Sequence, residues 1–238
     1  MSLMFNEMRD RRVGGNIVAL AMLVCVSSVT LVAGTAAERL GESATVLKEV
    51  MDAPDKGIPE DLLQSAFCVV IVPGVKQAAL GIGAKYGRGF AVCRKTAGAN
   101  WGPPAAVRIE GGSVGFQIGV SESDVIMLVM DQRGMNGILS SKFTLGGAAE
   151  VAAGPVGRSS TAQTDATLRA KILSYSRSRG AFAGVALTGA TLRQDLDENR
   201  EMYSREIQNK AILNSGLKTP VGAEELIALL NKYSRKET

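Results

Sequence analysis

The sequence predicts an α+β fold: a curved, mainly antiparallel, barrel-like sheet rich in glycine, flanked by N- and C-terminal helices. Three observations predict it. Helical periodicity is confined to the two ends of the chain. The middle consists of β-rich apolar runs separated by short Gly, Asn or Pro breaks. And 27 of 238 residues are glycine, about 11% against a usual share of roughly 7%. Glycine inside a strand marks a bulge or a bend, which curving a sheet requires.

The N-terminal helix is read over residues 38–52, where Leu40, Ala44, Leu47 and Met51 recur at spacings of three and four. Pro59 then suits the first turn of a short helix, IPEDLLQSA. From Phe67 the pattern changes: FCVVIVPG is a continuous apolar run of the kind expected for a strand buried on both faces. Further strands are read at Gly89–Arg94, Ala105–Ile109, Ser113–Val120, Val125–Met130, Phe143–Leu145, Glu150–Ala153 and Ala181–Leu192, with one helical turn near residues 134–142. After Gln194 the helical period returns, with Asp195-Leu-Asp-Glu as a helix start. Thr219 and Pro220 are placed to begin a last helix carrying Leu226, Leu230 and Tyr233.

Residues 1–37 have the order of a secretory signal: Arg9, Arg11 and Arg12, then an apolar stretch to Val32, then small residues to Ala37. An uncleaved anchor is the alternative. The expected organisation is therefore 1–37 signal or anchor, 38–210 a single binding domain, and 211–238 a helical extension. The expected location is secreted or periplasmic. Cys68 and Cys93 both lie in apolar strand-like runs, and either a disulfide or two buried thiols fits them.

Composition narrows the chemistry. There is no histidine, which removes Ser-His-Asp and Cys-His catalysis and the HExxH zinc site. The net charge of +4 is mild, and no basic run or interleaved aromatic stripe points to nucleic acid. The glycines from Gly81 to Gly89 are spaced GxGxxxGxG and precede a strand. No helix N-terminus then faces a phosphate, and a glycine-bent hairpin is the better reading. Ser174 to Gly180 is basic and hydroxyl-rich. Arg177 and Arg179 would share a side if extended, as phosphate contacts or as solvated turn residues. Arg158 ends a run of small residues. No carboxylate spacing suits a metal loop. No cofactor and no catalytic residue is expected.

The blocks that carry these glycines are VVIVPGVKQAALGIGAKYGRGFAVCR, NWGPPAAVRIEGGSVGFQIGV, DVIMLVMDQRGMNGILSSKFTLGGAAEVAAGPVGR and ILSYSRSRGAFAGVALTGATLRQDLDENREMY. In this order they resemble the SYLF domain family. Its members include bacterial envelope proteins and eukaryotic lipid-binding actin-patch regulators with an added SH3 or FYVE module. The resemblance implies a non-enzymatic module that binds anionic membrane lipid peripherally, with phosphoinositides as targets in eukaryotic members. It implies no protein partner that the residues identify. The expected lipid contacts are the apolar side chains Leu40, Leu47 and Met51 of the first helix and the cations Lys76, Lys85, Arg88, Arg158, Arg177 and Arg179. An envelope scaffold without specific lipid binding is the alternative.

Overall fold

A computed structural model describes residues 34–53, 57–95, 99–146, 151–157, 170–178, 181–185, 187 and 189–235. Side chains are described for these residues except 80–82 and 113–118. Gly34 onward forms one compact unit. In chain order its elements are α1 (Ala36–Met51), α2 (Glu60–Ser65), β1 (Cys68–Cys93), β2 (Ala105–Val129), α3 (Gln132–Ile138), β3 (Lys142–Thr144), β4 (Val151–Ala153), β5 (Ile172–Ser178), β6 (Ala181–Gly184), β7 (Thr191–Gln194), α4 (Leu196–Tyr203), α5 (Asn209–Leu213) and α6 (Glu224–Tyr233).

The sheet is built on one ribbon. β1 pairs antiparallel with β2 from Cys68↔Val129 to Ala91↔Ala105. A straight strand of 26 residues would extend about 85 Å at roughly 3.3 Å per residue. Instead its two ends meet: the Cα atoms of Cys68 and Cys93 are 4.1 Å apart and the two residues form a disulfide. The Arg94 N–H also donates to the Phe67 carbonyl at 3.0 Å. The ribbon therefore doubles back.

Its register shows where. Leu80 pairs with Ile118 and Ile82 with Val114. Between those pairs β1 uses only Gly81, while β2 uses Gly115, Phe116 and Gln117. The strand with the longer path lies outside the bend, so β2 is the outer strand. A second irregularity, between Val72 and Val75, holds Pro73 and Gly74. Gly74 has φ +55°, a conformation that glycine adopts without a Cβ penalty.

The other strands extend the ribbon's two arms. β5 pairs with β2 from Asp124 to Val129, and β7 pairs with it from Val107 to Glu110. β3 adds to β7, while β4, parallel, and β6, antiparallel, add to β5. The result is a curled mixed sheet with helices from both ends of the chain against it, an α+β fold as expected. The segments read as separate strands at 67–94 and at 105–130 are each one long strand. Ser174–Ser178, read as a turn, belongs to β5.

Both faces of the ribbon arms are covered, which explains the continuous apolar runs. On one face Val69, Ile71, Phe90, Val92, Ile126 and Leu128 pack with Leu40, Leu47 and Val50 of α1, Leu63 of α2 and Leu226 and Leu230 of α6. On the other, Val70, Val72, Ala91, Val125 and Met127 pack with Met135, Ile138, Phe143, Leu192, Ile212 and Leu213. α1 starts with a capping box: Thr35 Oγ1 accepts from the Glu38 N–H, and Glu38 Oε2 accepts from the Thr35 N–H at 2.7 Å. Asp195 caps α4 as the sequence suggests. Thr219 and Pro220 precede a turn at Gly222 (φ +88°), and α6 begins only at Glu224.

Candidate lipid-contact site

The structure sorts the sequence-predicted site residues into distinct environments. Leu40 and Leu47 are fully buried between α1 and the sheet, and Met51 packs against the same core. α1 is amphipathic for the reason its periodicity indicates, and in this packing its apolar stripe is spent on the protein's own core. Contact of that stripe with lipid would require α1 to leave the sheet. Three polar contacts hold the helix down besides: Glu201 Oε1 accepts from the Ala36 N–H at 2.8 Å, Arg39 pairs with Glu198, and Glu49 pairs with Arg177.

Two of the predicted cations are tied into ion pairs. Arg88 Nε lies 2.7 Å from Asp195 Oδ2 and 3.2 Å from Glu198 Oε2. The hydrogen bond to Asp195 raises the Arg88 guanidinium above its ordinary value. Glu198 is 1% exposed and Asp195 2%. Burial raises the Glu198 carboxyl even though Arg39 and Arg88 oppose it. This four-residue cluster ties α1, β1 and α4 together. Arg177 lies on β5 across from Asp124, and its Nη2 sits 2.7 Å from Asp124 Oδ2. Arg158 and Arg179 lie outside the described residues.

Lys76 and Lys85 are different. Both belong to β1, one on each side of the bend, and among the described residues neither forms an ion pair. Lys76 is exposed. Lys85 is half-buried, and burial lowers its ammonium below the ordinary value. Beside them stand two exposed apolar side chains, Tyr86 at 50% and Val120 at 81%. Sequence reasoning named both lysines but not what lies between them: residues 77–84 on β1 and 111–121 on β2, with no charged residue on either strand. The signal was visible as an uncharged glycine-rich stretch. Its place at a bend follows only from the register.

Among the described residues no group of three or more Cys, Asp and Glu side chains is placed to hold a metal ion. No described helix is long and apolar enough to cross a membrane. Among the described residues the two buried acids serve the fold, since Asp195 caps a helix and takes Arg88 while Glu198 takes Arg39 and Arg88, and the partly exposed Asp124 takes Arg177 and the Gly74 N–H.

Known sequences place this architecture. The chain is 32% identical over 201 residues to the human SH3 domain-containing YSC84-like protein 1, covering 82% of this chain and 58% of that protein. It is 31% identical over 202 residues to the Xenopus laevis protein of the same name, covering 82% and 60%. It is 31% identical over 179 residues to Protein YSC84 of Saccharomyces cerevisiae, covering 74% and 38%. The chain thus spans little more than half the length of the vertebrate relatives. Residues 110–233 match the family described as Ysc84, Las17-binding protein actin regulator. That match takes in most of β2, strands β3 to β7 and all the C-terminal helices, and the chain belongs to this family of SYLF-domain proteins.

Proposed function

We propose that the chain is a non-enzymatic binding module that attaches peripherally to anionic phospholipid at a cell-envelope membrane. The observation that carries this reading is the pair Lys76 and Lys85. They flank the bend of the ribbon, while the other described cations named from sequence, Arg88 and Arg177, are held by carboxylates. A basic side chain near an anionic surface contributes roughly 1 kcal/mol. Two therefore provide weak, salt-sensitive attachment, to which an apolar contact adds. The absence of histidine and the structural engagement of the buried acids favour binding over catalysis. An envelope location is supported by the disulfide, which persists in oxidising compartments, and by the basic, apolar and small-residue order of the first 37 residues.

The test is co-sedimentation of Gly34–Thr238, which holds every described element and both cores, with phosphatidylcholine vesicles with and without phosphatidylglycerol. Preferential pelleting with the anionic vesicles at low salt is expected. Equal pelleting with both would remove the electrostatic reading, and none with either would remove lipid binding.

A second reading, a protein-binding scaffold, is favoured by one observation. Residues 111–123 of β2 have no strand partner other than β1 among the described residues, and an open edge is a template for an added strand. The family description names a Las17-binding actin regulator. Pelleting with neither vesicle type, together with a defined protein partner retained by this edge, would favour it.

A further inference from the structure

Resting on the lipid-binding reading, we propose that a row of cations across the sheet, Arg88, Arg108, Arg193 and Lys142, is a binding site for the phosphate groups of an anionic bilayer. The register brings them together. Arg88 of β1 pairs with Arg108 of β2, Arg108 with Arg193 of β7, and Arg193 with Lys142 of β3. Residues directly opposite in an antiparallel pair share a face. Four cations on four adjacent strands therefore stand on one face, about 4.8 Å apart from strand to strand. The residues that alternate with them, Val107, Ile109, Leu192 and Phe143, are buried in the core on the other face. The row itself reaches solvent: Arg88, Arg108 and Arg193 are 26%, 33% and 38% exposed, and Lys142 is exposed.

Three like-charge pairs in succession work against the ladder, because like charges directly opposite destabilise a sheet. Carboxylates offset them in a particular way. Asp195 and Glu198 face Arg88 through its Nε, at 2.7 and 3.2 Å. Glu110 bridges the next two: Oε1 lies 2.6 Å from Arg108 Nε and Oε2 lies 3.0 Å from Arg193 Nε. All three arginines are thus met at the inner nitrogen. Among the described residues none of their Nη atoms has an ion-pair or hydrogen-bond partner. A guanidinium held at Nε still presents its two Nη groups as a fork, which matches phosphate geometry. Holding the fork in place beforehand lowers the ordering cost of binding. Lys142 forms no ion pair among the described residues and adds a point charge. Asp195 and Glu198 balance Arg88 and Arg39, and Glu110 balances one of Arg108 and Arg193, which leaves the row cationic.

Its surroundings fit the same ligand. The next row on this face is Tyr86, Glu110, Thr191 and Thr144. It adds hydroxyl donors, and Tyr86 is half exposed. The length of the cation row selects a surface over a small anion. Arg88 to Lys142 covers three strand spacings, about 14 Å. A single phosphate cannot bridge that distance, whereas a bilayer presents many at one level. The row also starts at the flank of α1, because Glu198 is shared between Arg88 and Arg39 of that helix.

The experiment measures binding of Gly34–Thr238 to phosphatidylcholine–phosphatidylglycerol vesicles and, separately, to inorganic pyrophosphate in solution. The variant Arg108→Gln, Arg193→Gln, Lys142→Gln is expected to bind the vesicles about a hundredfold more weakly than the parent, with an unchanged melting temperature. Arg205→Gln, Lys210→Gln, Lys218→Gln removes the same charge at exposed positions outside the row and is expected to bind close to the parent. Arg108→Lys, Arg193→Lys keeps the charge, loses both forks and is expected to bind several-fold more weakly. A row variant that binds as the parent does, or a control that loses as much, would overturn the site and leave lipid attachment standing. A lysine variant equal to the parent would overturn the forks as the recognition element. Pyrophosphate held by the parent and not by the row variant, with vesicle binding the same in both, would assign the row to a soluble phosphate and overturn the membrane assignment. No vesicle binding by the parent would sink both this inference and the lipid-binding reading.

Discussion

Cys68 and Cys93 close a single strand on itself: they are the first and last residues of β1, their Cα atoms are 4.1 Å apart, and a disulfide joins them. The bond fixes the two ends of a doubled ribbon and so holds the bend out at the far end. It spans 25 positions, and cross-linking a loop of that size stabilises by roughly 3 kcal/mol through the unfolded chain. Cys68→Ser with Cys93→Ser is expected to lose about that much in denaturant unfolding. The oxidised chain is expected to be lighter than the reduced one by two hydrogens in a mass spectrum.

Gly89 and Gly41 make a contrasting pair. A Cβ at Gly89 would lie 2.0 Å from the Ile71 carbonyl oxygen and 2.6 Å from the Val72 Cα. Both are backbone atoms of the other arm of the same strand and cannot step aside cheaply. Gly89→Ala is expected to destabilise by about 3 kcal/mol or more. Gly41 lies inside α1 with nothing within 4 Å of its added Cβ. Gly41→Ala is expected to stabilise by roughly 0.5–1 kcal/mol. Thermal melts of the two variants check both signs.

The Arg39–Glu198–Arg88–Asp195 cluster predicts a pH dependence. Burial raises the Glu198 carboxyl above its ordinary value near 4.5, so the folded state binds this proton more tightly than the unfolded chain. The stability it contributes is full below the unfolded value and is lost as pH rises through the raised folded value. Glu198→Gln is expected to remove that slope in unfolding measured across the mildly acidic range. Arg88→Met, which takes the guanidinium away from buried Asp195, is expected to cost about 3 kcal/mol at neutral pH.

Arg177 offers a check on how α1 is held. It pairs with Glu49 of α1 and with Asp124 of β2. Glu49 is more than half exposed, and exposed pairs contribute little. Glu49→Ala is expected to change stability by under about 1 kcal/mol and to leave vesicle binding unchanged. A marked gain in binding on freeing this contact would instead argue that α1 is the lipid-contacting element.

Much of the fold was legible. The apolar spacing of α1, the buried run at Phe67, the Asp195 cap and the glycine-bent sheet are local signals, and each element formed where its pattern lay. What was hidden depended on partners far along the chain. Ser174–Ser178 looks like a polar turn, yet it is a strand because β2 supplies its ladder. The Ser174 hydroxyl there is buried on the carbonyls of Ala152 and Val185. Arg88 reads as a free cation until Asp195, 107 positions away, is placed beside it. The lysines were visible as charges, but their place on the shoulders of an uncharged bend required the three-for-one register at Gly81.

The most direct test of electrostatic attachment through Lys76 and Lys85 is the salt dependence of binding to anionic vesicles, for Gly34–Thr238 and for its Lys76→Ala, Lys85→Ala variant. At low salt the variant is expected to bind about tenfold or more weakly than the parent, and the parent's affinity is expected to fall steeply as salt rises. Equal affinities of parent and variant, with no dependence on salt, would contradict it.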